Sequence, residues 1–254
     1  MDIVFNRFKE LIEEKNLSID KVDDEGLIHI KRNDWVVKIS LDNIRKQYNQ
    51  DNDISCVDDF VDVMLSGLEP IPEWKIAKER VYFSLFPSDF EFDDVINYPI
   101  TSKVSTVFIY SFNLKNSWIN EGQVSEWRIT QKELVEAANI NMNKLLTDTE
   151  IQNEPIEGKS LLYFQTDKES LKSAFLISKA LKAKVEKLIG WPVFAVFPVR
   201  DFCYLFSEQD FDFFVGRLGS TVVKEYKESG YPLSTEVIKI SDDGIKAIGE
   251  YPVE

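Results

Sequence analysis

The chain has 254 residues, of which 44% are hydrophobic and 29% charged, and this composition excludes wholesale disorder. It carries 30 Lys and Arg against 44 Asp and Glu, a formal net charge of −14. Residues 51–100 hold twelve acids and three bases, so this segment alone accounts for −9. Such a surface repels phosphate, which argues against nucleic-acid binding.

The N-terminal part of the chain predicts a small mixed structure. Apolar spacing indicates an amphipathic helix over residues 6–15. Two strands, 26–31 and 34–39, flank a polar turn at Arg32-Asn33 and predict a hairpin. We expect Ser40 to cap the next helix, and we expect a further helix over residues 58–68 that ends near Gly67 and Pro70.

The middle of the chain predicts two strands and a long helix. Residues 80–86 and 105–112 are rich in strand-forming side chains. Thr130 and Glu133 have the spacing of a capping box, in which each side chain satisfies a free backbone N–H, so a helix should begin there. Residues 147–159 are polar and contain a proline and a glycine, and they are the best candidate for a linker.

The last third of the chain alternates strands with helices and closes on a hairpin around Asp242-Asp243-Gly244. The predicted elements are strands at 161–164, 193–197, 202–206, 236–240 and 245–250, and helices that begin at Asp167 and Ser207. This order favours an α+β fold, with a mostly antiparallel sheet or sheets and helices packed on one face. We predict an N-terminal α+β region over 1–150 and a C-terminal α+β region over 151–254, with one continuous domain as the alternative.

Compartment signals predict a cytoplasmic protein that does not bind membranes. Cys56 and Cys203 lie too far apart in the chain to make the disulfide framework of a small secreted protein. The N-terminus becomes charged within a few residues and lacks the apolar segment of a secretory signal. No apolar run reaches the ~20 residues that a membrane span needs.

Fragments of known motifs occur, but none completes a metal or cofactor site. His29 is the one histidine, which excludes a His-rich metal site, and its strand pattern predicts a half-exposed side chain. The Gly-Lys-Ser within 157–160 ends like a phosphate-binding loop, but Asn153 stands where the first glycine belongs. Residues 51–62 imitate a calcium loop with Cys56 in place of its glycine. We therefore predict neither a metal nor a cofactor.

Two short segments are candidate sites. Four acids alternate with two phenylalanines directly after a predicted strand, a pattern that fits either a partner-binding surface or a solvated loop whose aromatic rings pack inward. The partner-binding candidates are Asp89, Phe90, Glu91, Phe92, Asp93 and Asp94. Arg200 and Asp201 lie in the turn of an apolar hairpin, where we expect the two charges to pair, with a binding pocket as the alternative.

Several runs in the second part of the chain occur in a familiar order. They are residues 78–83, 105–110, 130–146 with Ala137-Ala138-Asn139 at the centre, and 190–201. Together they resemble the YtpQ-like domain-of-unknown-function family of bacterial cytosolic proteins, over roughly residues 75–254. Asp201 matches a family aspartate. The resemblance implies an architecture and no chemistry, because the family has no established activity.

These observations favour a non-enzymatic cytoplasmic protein that binds a basic protein partner through its acidic, aromatic segment. A narrower alternative is an immunity protein or inhibitor that neutralises a basic toxin or nuclease. A second alternative is a carboxylate-based hydrolase, since carboxylates perform acid–base chemistry without histidine.

Overall fold

The computed structural model describes residues 2–32, 35–67, 71–112 and 115–253. The chain divides into two compact units, one made of residues 2–67 with 228–230, the other of residues 71–227 with 231–253. The division therefore falls well ahead of the predicted boundary after residue 150, which lies inside the second unit. The predicted hairpin turn at Asn33 and the predicted helix end at Leu68 and Pro70 lie outside the described residues.

The first unit packs three helices with a three-stranded antiparallel sheet in the order β1-β2-β3. The elements are α1 (Ile3–Glu14), β1 (Ser18–Val22), β2 (Ile28–Arg32), β3 (Trp35–Ile39), α2 (Asp42–Asp51) and α3 (Ser55–Gly67). Ile28 and Ile30 of the middle strand share a core with Phe8 of α1 and Val57 of α3. The predicted hairpin and helices are present in this unit, and β1 was not predicted.

His29 is buried at 7% exposure, so the half-exposed side chain predicted from the strand pattern is wrong. Its Nε2 lies 2.7 Å from Oδ2 of Asp23, whose other carboxylate oxygen accepts the backbone N–H of Leu27 at 2.8 Å. The hydrogen bond from His29, together with those from the backbone, lowers the pKa of Asp23. The histidine is therefore a structural group that ties β2 to the preceding turn.

The second unit contains five helices and ten strands among its described residues. The helices are α4 (Trp74–Ala77), α5 (Glu121–Trp127), α6 (Gln131–Asp148), α7 (Leu181–Ile189) and α8 (Phe211–Glu228). The strands are β4 (Val81–Pro87), β5 (Asn97–Pro99), β6 (Val104–Phe112), β7 (Lys115–Trp118), β8 (Glu150–Ile156), β9 (Lys159–Gln165), β10 (Val193–Val199), β11 (Phe202–Ser207), β12 (Glu236–Ser241) and β13 (Gly244–Glu250). Every described strand pair is antiparallel, and the fold is α+β as predicted. Over the described residues, no helix combines the length and the apolarity that a bilayer crossing requires.

A six-stranded sheet, in the order β13-β12-β10-β11-β9-β8, forms the larger part of this unit. Successive side chains of a strand point to opposite faces. Phe194 and Phe206 pack with Phe214 of α8 on one face, whereas Ala195 and Leu205 join the core that includes α6 on the other. Helices therefore lie on both faces of this sheet, whereas the prediction placed them on one.

A smaller sheet places β6 between β4 on one side and β5 and β7 on the other. Phe83 and Phe108 face the main core of the unit. On the opposite face, Phe86, Val107 and Ile109 form a separate buried cluster with Leu171. We call this opposite side the outer face.

Two predictions for this unit are wrong. Residues 147–159 are not a linker, because they form the end of α6 and the strand β8, which pairs with β9. The long helix predicted from Asp167 is replaced by two stretches of 3-10 helix, Glu169–Leu171 and Ser173–Ile177, followed by α7. Ser173 fixes this path, since its hydroxyl donates to the carbonyl oxygen of Val199 at 2.7 Å and so draws the segment onto the β10–β11 turn.

Local signals hold where they are strong. Thr130 and Glu133 form the predicted capping box, with Glu133 N–H donating to Thr130 Oγ1 at 3.2 Å and Thr130 N–H donating to Glu133 Oε2 at 2.8 Å. The Gly-Lys-Ser fragment forms the end of the β8–β9 turn and the start of β9, and not a loop between a strand and a helix. Glu157 and Gly158 have φ values of 52° and 80°, as a tight hairpin turn requires.

Candidate functional site

The predicted acidic segment is a short connection between β4 and β5, and we call residues 88–94 the acidic loop. The backbone holds it at three points: Ser88 N–H donates to the Lys103 carbonyl at 2.8 Å, Phe90 N–H donates to Pro87 at 3.2 Å, and Val95 N–H donates to Phe92 at 2.8 Å. The loop therefore has a defined path despite its charge.

Its two phenylalanines join an aromatic cluster on the outer face of the smaller sheet. Phe86 of β4 is the centre, with ring centroids 5.6 Å from Phe90, 6.4 Å from Phe92 and 5.1 Å from Trp118, all in edge-on geometry. Phe90 also meets Trp118 edge-on at 5.2 Å. Edge-on pairs place the positive rim of one ring against the negative face of another, which stabilises the cluster beyond simple burial.

Burial differs sharply within this cluster. Phe86 is 7% exposed, whereas Phe90 is 44% exposed. Phe90 is thus an aromatic side chain held from behind by other rings, with the rest of its surface open. Both sequence-based interpretations of the loop are partly met, because the rings pack inward and one of them also remains at the surface.

Arg200 lies on the same cluster. The carbon at the centre of its guanidinium is 4.4 Å from the ring centroid of Phe86 and 4.5 Å from that of Tyr231. Burial lowers the pKa of the Arg200 guanidinium, while Tyr231 and Asp201 act to raise it. The group stays protonated at neutral pH. Among the described side chains, the close partners of Arg200 are aromatic rings, so the predicted pairing with Asp201, which is exposed, is not what holds the arginine.

The structure therefore brings together the two segments that the sequence indicated separately. Phe86 links them, since it contacts Phe90 and Phe92 of the acidic loop and also carries the guanidinium of Arg200. Trp118 and Tyr231 complete the arrangement, and sequence reasoning missed both. Trp118 lies at the end of a short polar strand, and neither residue belongs to a motif that marks it.

The carboxylates of Asp89, Glu91, Asp93 and Asp94 are exposed. Within the described residues, the ion pairs formed by acids involve other carboxylates than these four. Their charges therefore act on the solvent and on whatever approaches the loop.

A cavity of about 470 Å³ lies on one side of the loop. Asp93 and Asp94 line it together with Glu121 of α5, and Tyr98 and Gln131 form part of its wall. The Glu121 backbone N–H donates to the Asp94 carbonyl at 3.2 Å, which holds the third carboxylate beside the loop. Three carboxylates around one depression suit a cationic side chain. Glu121 is a further residue that no sequence pattern pointed to.

A second cavity, of about 380 Å³, lies on the Asp89 side of the loop. Ser88, Asp89, Lys103 and Tyr226 are among the residues that line it. Lys103 forms an ion pair with Glu250 in the same region. Neither cavity beside the loop is lined by Arg200 or Asp201.

A separate group of titratable side chains includes Asp201, Glu225 and Tyr204. Burial, and to a lesser degree the charge of Asp201, raises the pKa of Glu225, whose Oε2 is buried with no hydrogen-bond partner among the described residues. Burial and the charges of Glu225 and Glu154 raise the pKa of Tyr204 to about 12. A carboxyl group with a raised pKa holds its proton to higher pH, which is a property of general acids.

Comparison with known protein families, with curated proteins and with solved structures finds no match for this chain. The resemblance to the YtpQ-like family therefore stays a prediction.

Proposed function

We propose that this protein is a non-enzymatic binding protein whose acidic loop and Phe90 dock a basic protein partner. The observation that carries the proposal is an exposed aromatic ring, anchored by Phe86 and Trp118, in the middle of four carboxylates without ion-pair partners among the described residues. An aromatic anchor surrounded by charge is the composition of a specific, electrostatically selected interface.

The geometry supports a division of roles. A Lys or Arg side chain of the partner enters the cavity lined by Asp93, Asp94 and Glu121, while an apolar side chain of the same partner packs on the open surface of Phe90. Because the ring is already held by its neighbours, it loses little freedom when the partner binds. The surrounding carboxylates speed the encounter with a basic surface, and salt weakens that effect.

The test compares three forms of the full chain. The first is native; the second carries Asp89→Asn, Glu91→Gln, Asp93→Asn and Asp94→Asn. The third neutralises four exposed acids elsewhere in the second unit, Glu136→Gln, Glu186→Gln, Asp212→Asn and Asp243→Asn, and so has the same net charge as the second. Partners captured from cytosol are identified, purified and titrated against each form by calorimetry.

We expect a basic partner that binds the native and control forms alike. It should bind the loop variant at least about tenfold more weakly, a loss of about 1.4 kcal/mol in binding free energy. Phe90→Ala should weaken the same complex. Equal affinity for the loop variant and the control would remove the acidic loop from the proposal.

The immunity-protein alternative is a narrower form of the same proposal. It requires that the purified partner be a toxin or nuclease and that the native protein abolish its activity at stoichiometric concentration. A partner with no such activity contradicts this narrower form and leaves the general one intact.

The carboxylate-based hydrolase stays as the second alternative, and the raised pKa of Glu225 beside Asp201 favours it. A panel of ester, phosphoester and glycoside substrates tests it with native protein and Glu225→Gln. The alternative requires turnover that the variant loses, and equal turnover by both forms contradicts it.

A further inference from the structure

A polar cavity of about 530 Å³ lies on the same outer face, where the ends of β6 and β7 meet the segment that follows β9. Its volume is in the range of small-molecule sites. Hydrogen-bonding side chains dominate the lining, which consists of Ser111, Asn116, Gln165, Thr166, Asp167, Lys168, Glu169, Ser170 and Lys172. The acidic loop contributes no residue to it.

Lys168 is the central charge of this cavity. Its Nζ lies 3.4 Å from Oγ of Ser111 and 5.4 Å from the ring centroid of Tyr82, so a hydroxyl group and an aromatic ring are its neighbours. Burial, followed by the like charge of Arg80, lowers the pKa of Lys168. The face of the Tyr82 ring offsets part of the charge of the ammonium.

The other charges of the cavity are placed differently. Lys172 has its own carboxylate, since its Nζ lies 3.4 Å from Oε1 of Glu169. Asp167 and Glu169 are exposed, whereas Lys168 is partly buried. Among the described residues, the hydrogen-bond partner of the Lys168 ammonium is the hydroxyl group of Ser111, and no carboxylate pairs with it. An ammonium has three N–H donors, so Lys168 retains unused ones.

Neutral donors lie around the same space. Asn116 Nδ2 donates to Ser170 Oγ at 3.0 Å and has a second N–H available, and Ser111 supplies a hydroxyl beside the ammonium. Lys168 backbone N–H donates to Thr166 Oγ1 at 3.3 Å, which holds the turn that presents the lysine. A partly buried cation with amide and hydroxyl donors beside it is a complementary environment for an oxyanion.

We propose that this cavity binds a small anionic ligand, through a phosphoryl or carboxylate group that pairs with Lys168 and accepts hydrogen bonds from Ser111 and Asn116. The anion supplies the negative charge that no described carboxylate places beside the ammonium. The polar lining indicates a hydrophilic ligand rather than an apolar one. The inference does not depend on the proposed docking function, because the residues of the two sites are distinct.

The experiment titrates inorganic phosphate and succinate separately into the full chain by calorimetry, at fixed pH and constant chloride concentration. Lys168→Met removes the ammonium and keeps most of the length of the side chain. Lys144→Met, at an exposed lysine of the same unit, is the matched control for net charge. Asn116→Ala serves as a second variant that leaves every charge in place, and thermal unfolding verifies that each variant is folded.

We expect phosphate, succinate or both to bind at one site per chain and to raise the unfolding temperature of the native protein. Lys168→Met should weaken this binding at least about tenfold, as loss of a charge-assisted hydrogen bond does, and Lys144→Met should leave it unchanged. Asn116→Ala should weaken it less. Binding of phosphate alone identifies a phosphoryl ligand, and binding of succinate alone identifies a carboxylate ligand.

The proposal is overturned if neither anion binds the native protein, or if Lys168→Met binds as well as the native chain does. Should Lys168→Met fail to fold, Asn116→Ala decides: unchanged affinity in that variant also overturns the proposed site.

Discussion

Two single substitutions in the aromatic cluster distinguish the residue that anchors the candidate site, Phe86, from the residue that forms its binding surface, Phe90. Phe86 is 7% exposed and contacts Phe90, Phe92, Trp118 and the guanidinium of Arg200. Phe90 is 44% exposed, and its ring meets those of Phe86, Phe92 and Trp118. Phe86→Ala and Phe90→Ala remove the same atoms from these two environments.

The burial sets the expected magnitudes. Truncating a fully buried phenylalanine to alanine costs about 3–5 kcal/mol. Phe86 is nearly fully buried and also loses its contact with Arg200, so Phe86→Ala should lie near the upper part of that range. Little more than half of Phe90 is buried, so Phe90→Ala should cost about 1.7–2.8 kcal/mol by the same scaling. In a unit of this size each kcal/mol lowers the unfolding temperature by about 2–4 °C.

Tryptophan fluorescence during denaturant unfolding measures both costs. Trp74, Trp118, Trp127 and Trp191 belong to the second unit, and Trp35 is the one tryptophan of the first, so the signal mainly reports the unit that carries the mutations. If Phe90→Ala destabilises the unit as much as Phe86→Ala, Phe90 is a core residue and its assignment to a docking surface fails. If it costs less and also abolishes partner binding, the ring acts at the surface.

Three further predictions follow from single contacts. Asn141 donates from Nδ2 to two backbone carbonyl oxygens near the start of β4, both at 2.8 Å. Asn141→Leu should therefore lower the free energy of unfolding by about 2–3 kcal/mol, measured by thermal unfolding with circular dichroism. A loss below ~0.5 kcal/mol would contradict this role. The pKa of Glu225 is raised in the fold, so Glu225→Gln should stabilise the second unit at pH 7 by about 0.5–1 kcal/mol. This gain should disappear below the ordinary glutamate pKa, where both states are protonated; a gain that persists at acid pH excludes ionisation as its cause. The pKa of Asp23 is lowered, so the native first unit should lose stability as pH falls through that lowered pKa. Asp23→Asn should be less stable at neutral pH and should not show this loss of stability in acid. Urea unfolding monitored by the ring-proton NMR signal of His29 measures both.

The fold was predictable where a few neighbouring residues carry the information. The capping box at Thr130 and the hairpin at Gly244, whose φ is 102°, depend on contacts within a few positions and are both present. The edge strands β5 and β7 were missed because their residues are polar or few, and pairing with β6 alone makes them strands. The helix expected from Asp167 fails for the same kind of reason: Ser173 bonds to a carbonyl oxygen of β10, a long-range contact that overrides the local helical pattern.

The candidate site shows the same limit. The composition of the acidic loop was visible in the sequence, and so was the unusual position of Arg200. Their contact through Phe86 was not, because it depends on how the 3-10 segment and the β10–β11 turn cover the smaller sheet. The cavity around Lys168 was also not predicted, because the helix expected from Asp167 does not form and the 3-10 segment that replaces it brings Lys168 beside Ser111.

The acidic side chains of residues 51–100 have different contacts in the two units. In the first unit, three of these carboxylates have partners: Asp58 accepts from Arg7 Nε at 3.1 Å, Asp62 lies 3.3 Å from the Lys15 ammonium, and Asp53 accepts the N–H of Ser55 at 2.9 Å. These charges organise α1 and α3, and binding a partner there would compete with contacts that hold the unit together. The acidic loop belongs to the second unit, and its carboxylates lack such contacts among the described residues. A partner can pair with a carboxylate that has no intramolecular partner without breaking a native interaction. For this reason the docking proposal concerns the acidic loop and not the acidic segment as a whole.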